Sequence, residues 1–244
     1  MKRLIYAFLL IFLSLSALAQ RHFSEEISSF KPQVKSWKAL RDEGITKQDL
    51  DYSCGAASLA TLLNRQFNQT VSEGQILQLF IDNNGGKGKE KYKEKEEKEG
   101  KYLNREEREK QRDELMASFA DMQAALPQLG FRGQGYALSF EQLQKLTAPV
   151  IVYLRYRTND HFSVLYGIND RTVLLADPSL GYLSLSKEQF LEAWNTRDGQ
   201  LAGKILAVIP AKGSGARASG DFFRKHPQRQ TDNSFIFEQL PRRH

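Results

Sequence analysis

The chain has 244 residues, a formal net charge of +6 and a single cysteine, Cys54. Its basic excess lies at the two ends, in Lys2 and Arg3 and in residues 211–244, which carry +4, so that residues 20–210 are neutral. A neutral body excludes the extended basic face that nucleic-acid binding requires, and we predict no nucleic-acid partner. The length suffices for one domain with a substantial core.

Residues 1–19 have the features of a secretory signal peptide. Lys2 and Arg3 are followed by an apolar run from Leu4 to Leu15 and by the small-x-small site that ends at Ala19. The apolar run is shorter than the ~20 residues that a membrane-spanning helix needs, and no cysteine follows it to carry a lipid. We therefore predict cleavage after Ala19, a periplasmic location and no integral membrane segment in the mature protein.

Residues 20–210 are predicted to form one domain whose first half is helical. The segment from Cys54 to Phe67 is apolar nearly all round a helix, which predicts a buried central helix. Ser72-x-x-Gln75 is a capping box and predicts the start of a second helix. A charged insertion then interrupts the domain at about residues 85–112, and we interpret it as a solvated surface excursion that passes into a long helix. That helix is predicted to end at Gly130.

The second half changes to the periodicity of strands. Runs of β-branched and aromatic residues predict strands at 150–156, 161–166 and 172–176, a short strand at 182–185, and a last strand at 204–209 that closes the sheet. Two further capping boxes, which begin at Ser139 and Ser186, predict short helices. Helices followed by an antiparallel sheet indicate an α+β fold. Residues 211–244 are expected to form a basic, flexible tail.

Cys54 is the first candidate for chemistry. It begins the predicted central helix, where backbone N–H groups and the positive end of the helix dipole favour the thiolate, which is the nucleophilic form of cysteine. An unpaired thiol in an exported protein is a liability unless it has a function. The alternative is that Cys54 is a small buried hydrophobic residue, as free cysteines often are.

His161 and Asp177 are the second and third candidates. They lie on two strands joined by a hairpin turn, and the hairpin brings residues at the same end of adjacent strands within reach of each other. Asp177 could then accept a hydrogen bond from one ring nitrogen of His161 and leave the other nitrogen free to deprotonate a thiol. The structural alternatives are a surface histidine at the start of a strand and an aspartate that begins a turn before Pro178.

These motifs resemble those of the bacteriocin-processing, double-glycine-type cysteine peptidases of the papain clan. The similarity rests on Gln48-x5-Cys54-Gly55-x-Ala57, on the block that begins His161-Phe162-x-Val164, and on Asp177-Pro178. The resemblance implies a papain-like fold in which a helical N-terminal half carries the nucleophile and packs on the sheet. By the same resemblance Cys54 is the nucleophile, His161 the general base, Asp177 the orienting acid and Gln48 the oxyanion-hole donor. A side-chain amide beside the Cys54 N–H can donate to a developing oxyanion.

The chain differs from the members of that family that form the front ends of ABC exporters, since it shows neither a Walker motif nor a transmembrane bundle. It is similar instead to the free-standing exported branch and, within it, to the proteases encoded with bacterial functional-amyloid (Fap) secretion systems. The resemblance implies a polypeptide substrate, such as an amyloid fibril subunit or a secretion component. No cofactor is implied, and the four histidines lie in no metal-ligand spacing.

Two other functions stay open at this stage. A papain-clan acyltransferase of the transglutaminase kind uses the same order of cysteine, histidine and aspartate, and transfers the acyl group to an amine instead of water. A non-catalytic assembly factor could also retain a peptidase fold. The sequence does not identify the substrate, the cleavage motif or the oligomeric state.

Overall fold

The computed structural model describes residues 35–50, 52–83, 116–156, 159–199 and 201–224. The predicted signal peptide, the charged insertion at about 85–112 and the tail from residue 225 onward lie outside these ranges. The chain divides into two compact units, Met1–Leu40 and Arg41–His244. A short helix, α1 (Trp37–Arg41), contains the end of the first unit, and Trp37 on it is 56% exposed. The remaining elements belong to the second unit.

Helices precede the sheet, as the sequence predicts. They are α2 (Cys54–Phe67), α3 (Glu73–Asn83) and α4 (Phe119–Ala125), and α4 passes into a 3-10 helix, Leu126–Leu129. The predicted bounds of α2 are confirmed. The capping box at Ser72 is also confirmed, because the Gln75 N–H donates to Ser72 Oγ at 3.2 Å and Gln75 Oε1 accepts from the Ser72 N–H at 2.8 Å. The left-handed backbone of Gly130, with φ of 78°, ends the last helix at the predicted residue.

A six-stranded antiparallel sheet forms the second half of the unit. Its strands are β1 (Phe131–Leu138), β2 (Val150–Tyr156), β3 (Asn159–Ile168), β4 (Thr172–Asp177), β5 (Gly181–Ser186) and β6 (Gly203–Pro210). The spatial order is β1-β6-β2-β3-β4-β5. Two short helices, α5 (Phe140–Leu143) and α6 (Lys187–Trp194), begin at the capping boxes predicted at Ser139 and Ser186.

The two faces of the sheet bury separate apolar cores. On one face α2 packs mainly against β3, and Leu59, Leu62 and Leu63 of α2 are completely buried there. Each of these side chains contributes roughly 1.5–3 kcal/mol on burial. On the other face α6 packs against β2 and β5, with Phe190 and Trp194 completely buried. The arrangement is an α+β domain in which the helix that begins at Cys54 lies on an antiparallel sheet.

Two features of the sheet differ from the sequence analysis. Strand β1 was not predicted, because glycines at 133 and 135 interrupt its apolar pattern. Gly133 is required at its position, since an added Cβ would lie 2.6 Å from Leu126 Cδ1. The last strand, β6, does not close the sheet at an edge but lies between β1 and β2.

The register of the β3–β4 hairpin fixes which residues meet. Val164 pairs with Ala176, which places Ser163 opposite Asp177, and His161 lies two residues further along the same face of β3. The strand extends two residues beyond the predicted start at His161, so that His161 is inside β3 rather than at its first position. A bulge between Leu165 and Gly167 shifts the register beyond this point.

Residues 211–224, which are the part of the predicted tail 211–244 that the structure describes, contact the domain. The Arg224 N–H donates to the Tyr166 carbonyl at 2.7 Å, and Arg224 forms a parallel bridge with Gly167. The ring of Phe222 stacks on that of Tyr166, with the two centroids 5.5 Å apart. The Arg65 guanidinium lies over the Phe222 ring, 5.4 Å from the centroid of that ring. We refer to residues 211–224 as the C-terminal strap.

Candidate active site

Cys54 is the first residue of α2 and is 1% exposed. The side chain of Ser53, which precedes it, makes no capping bond to the helix. Its hydroxyl instead donates to the Leu50 carbonyl at 2.8 Å and accepts from the Leu50 N–H at 3.2 Å. The N-terminal N–H groups of α2 are therefore not taken up by the Ser53 side chain, and the positive end of the helix lies at the thiol.

Close packing of helix and sheet holds Cys54 beside strand β3. The Ser58 hydroxyl, one turn further along α2, donates to the Phe162 carbonyl at 3.0 Å. Gly55 permits the approach of α4, since a Cβ at this position would lie 2.7 Å from Met122 Cε. These contacts fix the first turn of α2 against the strand that carries His161.

His161 lies between Cys54 and Asp177. Its Nε2 is 2.7 Å from Asp177 Oδ2, and because an ionised carboxylate only accepts hydrogen bonds, Nε2 must be the donor. Asp177 raises the pKa of His161, and the interaction of His161 with Cys54 adds to this effect. With Nε2 bonded to Asp177, Nδ1 is the ring nitrogen that stays available to the thiol. The contact between His161 and Asp177 that the sequence analysis expected from the hairpin is present.

Asp177 is completely buried, and its carboxylate is held by four groups. Oδ2 accepts from His161 and from the Ser163 hydroxyl at 2.5 Å. Oδ1 accepts from the N–H groups of Ser179 and Leu180, both at 2.9 Å. A buried charge is tolerated when donors compensate it in this way.

The charges of His161 and Asp177 support each other. Burial raises the pKa of Asp177, but the charge and hydrogen bond of His161, with the bond from Ser163, outweigh burial and hold the pKa below its ordinary value. Burial lowers the pKa of His161, but the charge and hydrogen bond of Asp177, followed by those of Cys54, bring it well above its ordinary value. At neutral pH the pair is therefore an imidazolium and a carboxylate.

Gln48 lies on the loop that leads to α2, and its side chain is hydrogen-bonded at both ends. Its Nε2 donates to the Leu50 carbonyl at 3.0 Å, and its Oε1 accepts from the Ser179 hydroxyl at 2.7 Å. The Leu50 carbonyl also accepts from Ser53, the residue before Cys54. The Gln48 amide thus belongs to the turn that enters the N-terminus of α2. Its predicted role as oxyanion donor stays a prediction.

A buried carboxylate lies under the same loop. Glu73 accepts from the Asp49 N–H at 3.1 Å and 3.3 Å through its two oxygens, and burial raises its pKa. Glu73 therefore ties the start of α3 to the residue that follows Gln48. Glu73 was not predicted as a functional residue, because its position as the first residue after the cap of an apolar helix gives no signal of the contact.

Ser163 and Ser179 were also missed. The only available signal for Ser163 was its period-two spacing from His161, which puts both on one face of a strand. Ser179 follows Asp177-Pro178, where serine is common in turns for purely structural reasons.

Among the described residues there is no group of three or more His, Cys, Asp or Glu side chains that could hold a metal ion. Within the same residues no helix is both long and apolar enough to cross a bilayer.

The arrangement provides a thiol at a helix N-terminus, a protonated imidazole that interacts with it, and a carboxylate hydrogen-bonded to the imidazole. An amide donor lies on the adjacent loop. This set of groups suits nucleophilic attack by sulfur on a carbonyl carbon, with the imidazole transferring the proton.

Comparison with known proteins points to the same class. Residues 102–197 match the model of the peptidase C39 family, a range that contains His161 and Asp177 and begins after Cys54. The chain is 28% identical over 181 residues to the probable functional amyloid proteases FapD of Pseudomonas aeruginosa and Pseudomonas fluorescens. Each match covers 72% of this chain and 65% of the relative, so the chain spans about two-thirds of the length of these curated relatives.

Among solved structures, the peptidase domain of Streptococcus ComA, a bi-functional ABC transporter involved in quorum sensing, is 18% identical with a TM-score of 0.47. The superposition covers 68% of this chain and 96% of that domain. The family match and the two FapD relatives show that this chain is similar to the cysteine peptidases of the C39 family.

Proposed function

We propose that this protein is an exported cysteine endopeptidase that cleaves another exported polypeptide in a functional-amyloid secretion or assembly system. The observation that carries the proposal is the hydrogen bond between His161 and the buried Asp177, together with the interaction of His161 with Cys54 at the N-terminus of α2. Each group is of the type that its role requires, and the buried acid fixes which imidazole nitrogen serves the thiol.

In the acylation step, the Cys54 sulfur attacks the scissile carbonyl carbon and the carbonyl oxygen becomes an oxyanion. The Cys54 N–H and the Gln48 amide are the donors available to that oxyanion. The His161 imidazolium then gives its Nδ1 proton to the leaving nitrogen as the C–N bond breaks. The products are a free amine and a thioester on Cys54.

In the deacylation step, a water molecule attacks the thioester carbon. His161, now neutral, takes a proton from that water through Nδ1, and the C–S bond breaks to release the new carboxyl terminus and restore the thiolate. Asp177 stays ionised and hydrogen-bonded to Nε2 in both steps, which keeps the ring in one tautomer. A primary amine in place of water would give acyl transfer, so the two reactions differ only in the second nucleophile.

The proposed setting draws on two further observations. The relatives at 28% identity are named as probable functional amyloid proteases. The N-terminal sequence has a basic start, an apolar run and a cleavage site after Ala19, which favours export to the periplasm. Both support a substrate that is itself an exported polypeptide, such as a fibril subunit or a component of its secretion route.

The test compares exported proteins by mass spectrometry from strains that carry the wild-type chain, Cys54→Ala, His161→Ala or a complete deletion. We expect one exported polypeptide to lose a defined cleavage in all strains except the wild type, with extracellular fibre reduced in parallel. Ser139→Ala is the matched control, since this serine caps the distant helix α5 and touches none of the four candidate residues.

The alternatives give different results in the same experiment. If the termini of the exported proteins are unchanged and the substrate carries an added amine, the reaction is acyl transfer and not hydrolysis. Normal fibre in the Cys54→Ala strain, with loss of fibre on complete deletion, would replace catalysis by a non-catalytic assembly role.

A further inference from the structure

Ser179 uses each of its three polar groups to connect the candidate acid to the loop before Cys54. Its N–H donates to Asp177 Oδ1 at 2.9 Å, and its hydroxyl donates to Gln48 Oε1 at 2.7 Å. Its carbonyl accepts from Lys47 Nζ at 2.8 Å. The neighbouring Pro178 carbonyl also accepts from the Gln48 N–H at 3.2 Å. The turn that orients Asp177 is therefore joined to the segment 47–48 by three hydrogen bonds, of which only one uses the Ser179 hydroxyl.

The Leu50 carbonyl determines which way the Gln48 amide faces, and the Ser179 hydroxyl holds the other end of that amide. The Leu50 carbonyl can only accept a hydrogen bond, so the group of Gln48 that faces it must be the NH2. Oε1 then faces Ser179, whose hydroxyl must be the donor. Among the described residues Leu50 accounts for one proton of the NH2 group, which leaves the second proton for a substrate oxygen. A flip of the amide would put Oε1 against the Leu50 carbonyl, where two acceptors repel each other.

We propose that Ser179 is a positioning residue that holds the Gln48 amide with its nitrogen toward the N-terminus of α2, and that it thereby couples the turn carrying Asp177 to the oxyanion donor. The inference rests on the proposed function, since it assigns a partner to one of that site's donors. Ser179 acts through Gln48 and does not touch the substrate.

Ser179→Ala removes the hydroxyl and keeps both backbone contacts, with Asp177 and with Lys47. The Gln48 amide then lacks one of its two fixed partners and populates other orientations. A net hydrogen bond between neutral groups corresponds to a change of roughly 2- to 10-fold in a rate, and Ser179 is exposed, so we expect about 2- to 5-fold. Loss of the donor itself in Gln48→Ala should cost more, about 10²–10³-fold.

The experiment uses the purified full chain and two small probes of Cys54. p-Nitrophenyl acetate acylates the thiol through a tetrahedral oxyanion, and the burst of p-nitrophenolate gives the acylation rate. Iodoacetamide alkylates the same thiolate by direct displacement, without an oxyanion. The ratio of the two rates therefore reports the oxyanion donors separately from the state of the thiol.

We expect Ser179→Ala to lower acylation about 2- to 5-fold and to leave alkylation unchanged. Ser179→Thr keeps a hydroxyl and should act like the wild type, and Ser139→Ala, which loses a distant cap, should leave the ratio unchanged. In a Gln48→Ala background Ser179→Ala should have no further effect, because both changes remove one interaction.

Three results would overturn the inference. They are an unchanged ratio in Ser179→Ala, an equal loss of acylation and alkylation, and a full additional effect of Ser179→Ala in the Gln48→Ala background. If the ratio depends on Gln48 and not on Ser179, only this inference fails. If the wild-type chain shows no burst at Cys54, the proposed function fails and the inference fails with it.

Discussion

At the scale of single residues, the site is organised around the burial of Asp177. A completely buried carboxylate needs donors for both oxygens, and the four groups that provide them come from β3 and from the turn that follows β4. The pairing of His161 with Asp177 could be predicted, because a hairpin of known period brings the two residues together. The bonds from Ser163 and Ser179 could not be predicted, because serines in strands and turns mostly serve local structure and carry no signal of a distant partner.

The charge of Asp177 should set the alkaline limit of activity. In the proposed mechanism His161 must be protonated to release the amine, and Asp177 helps to hold the pKa of His161 well above its ordinary value of 6.5. In Asp177→Asn the charge is lost while the shape is kept, so the pKa of His161 should fall. We expect the alkaline limb of the acylation profile to move to lower pH in this variant, measured from about pH 5 to 10 with a peptide p-nitroanilide, whose leaving amine needs the proton of His161.

The same shift predicts how stability changes with pH. Because the folded-state pKa of His161 is raised and that of Asp177 is lowered, the stability from the ion pair is fully present between about pH 3.8 and pH 6.5, and it is lost as the pH rises through the folded value of His161. Wild type and Asp177→Asn should therefore differ less in melting temperature at high pH than at neutral pH.

For the activity profile, an alkaline limb that stays in place in Asp177→Asn would show that the charge of Asp177 does not control the pKa of His161.

At the scale of elements, the helix α2 followed directly from the sequence, whereas parts of the sheet did not. An apolar run that begins after Ser53 and ends before Asn68, which has a left-handed φ of 52°, is a local pattern and gave both ends of the helix. Strand β1 contains Gly133, which permits close packing against Leu126, a contact that no local pattern reveals. The insertion of β6 between β1 and β2 is likewise a property of the chain's long-range path.

Gly55→Ala tests the packing that holds Cys54. A Cβ at residue 55 would lie 2.7 Å from Cε of the completely buried Met122, so α2 and α4 must move apart. Overpacking of a core costs about 1–3 kcal/mol, which lowers the melting temperature of a domain of this size by roughly 2–12 °C. Because the displaced turn carries Cys54, we also expect acylation by p-nitrophenyl acetate to fall.

Gly74→Ala is the matched control for Gly55→Ala. This glycine is also in a helix, but a Cβ there would meet nothing within 4 Å. Alanine is favoured over glycine in a helix by up to about 1 kcal/mol, so Gly74→Ala should be neutral or stabilising. If both variants raise the melting temperature and keep full acylation, the contact of Gly55 with Met122 does not constrain the site.

At the scale of the whole described domain, the C-terminal strap adds to the apolar core on the α2 side of the sheet, after the last strand, β6, has ended. Phe222 is 3% exposed, lies between Tyr166 and Arg65, and belongs to the same apolar cluster as Cys54. The sequence of the strap is rich in glycine, serine and basic residues, which is typical of flexible tails, and the aromatic ring that anchors it is a single residue. The prediction of a flexible tail therefore followed from the composition and did not include the contact of Phe222.

Phe222→Ala should destabilise the domain because it removes this anchor. Replacement of a buried phenylalanine by alanine costs about 3–5 kcal/mol in a core, which corresponds to a fall in melting temperature of roughly 6–20 °C for a domain of this size. A chain that ends at Pro210 lacks the same anchor, so its melting temperature should be close to that of Phe222→Ala, as measured by circular dichroism.

Leu201→Ala is the control, since Leu201 is 48% exposed and its loss should change the melting temperature little. A melting temperature for Phe222→Ala that equals the wild-type value, with a large fall in the truncated chain, would show that the strap is held by its backbone contacts at Tyr166 and Gly167 instead of by the ring.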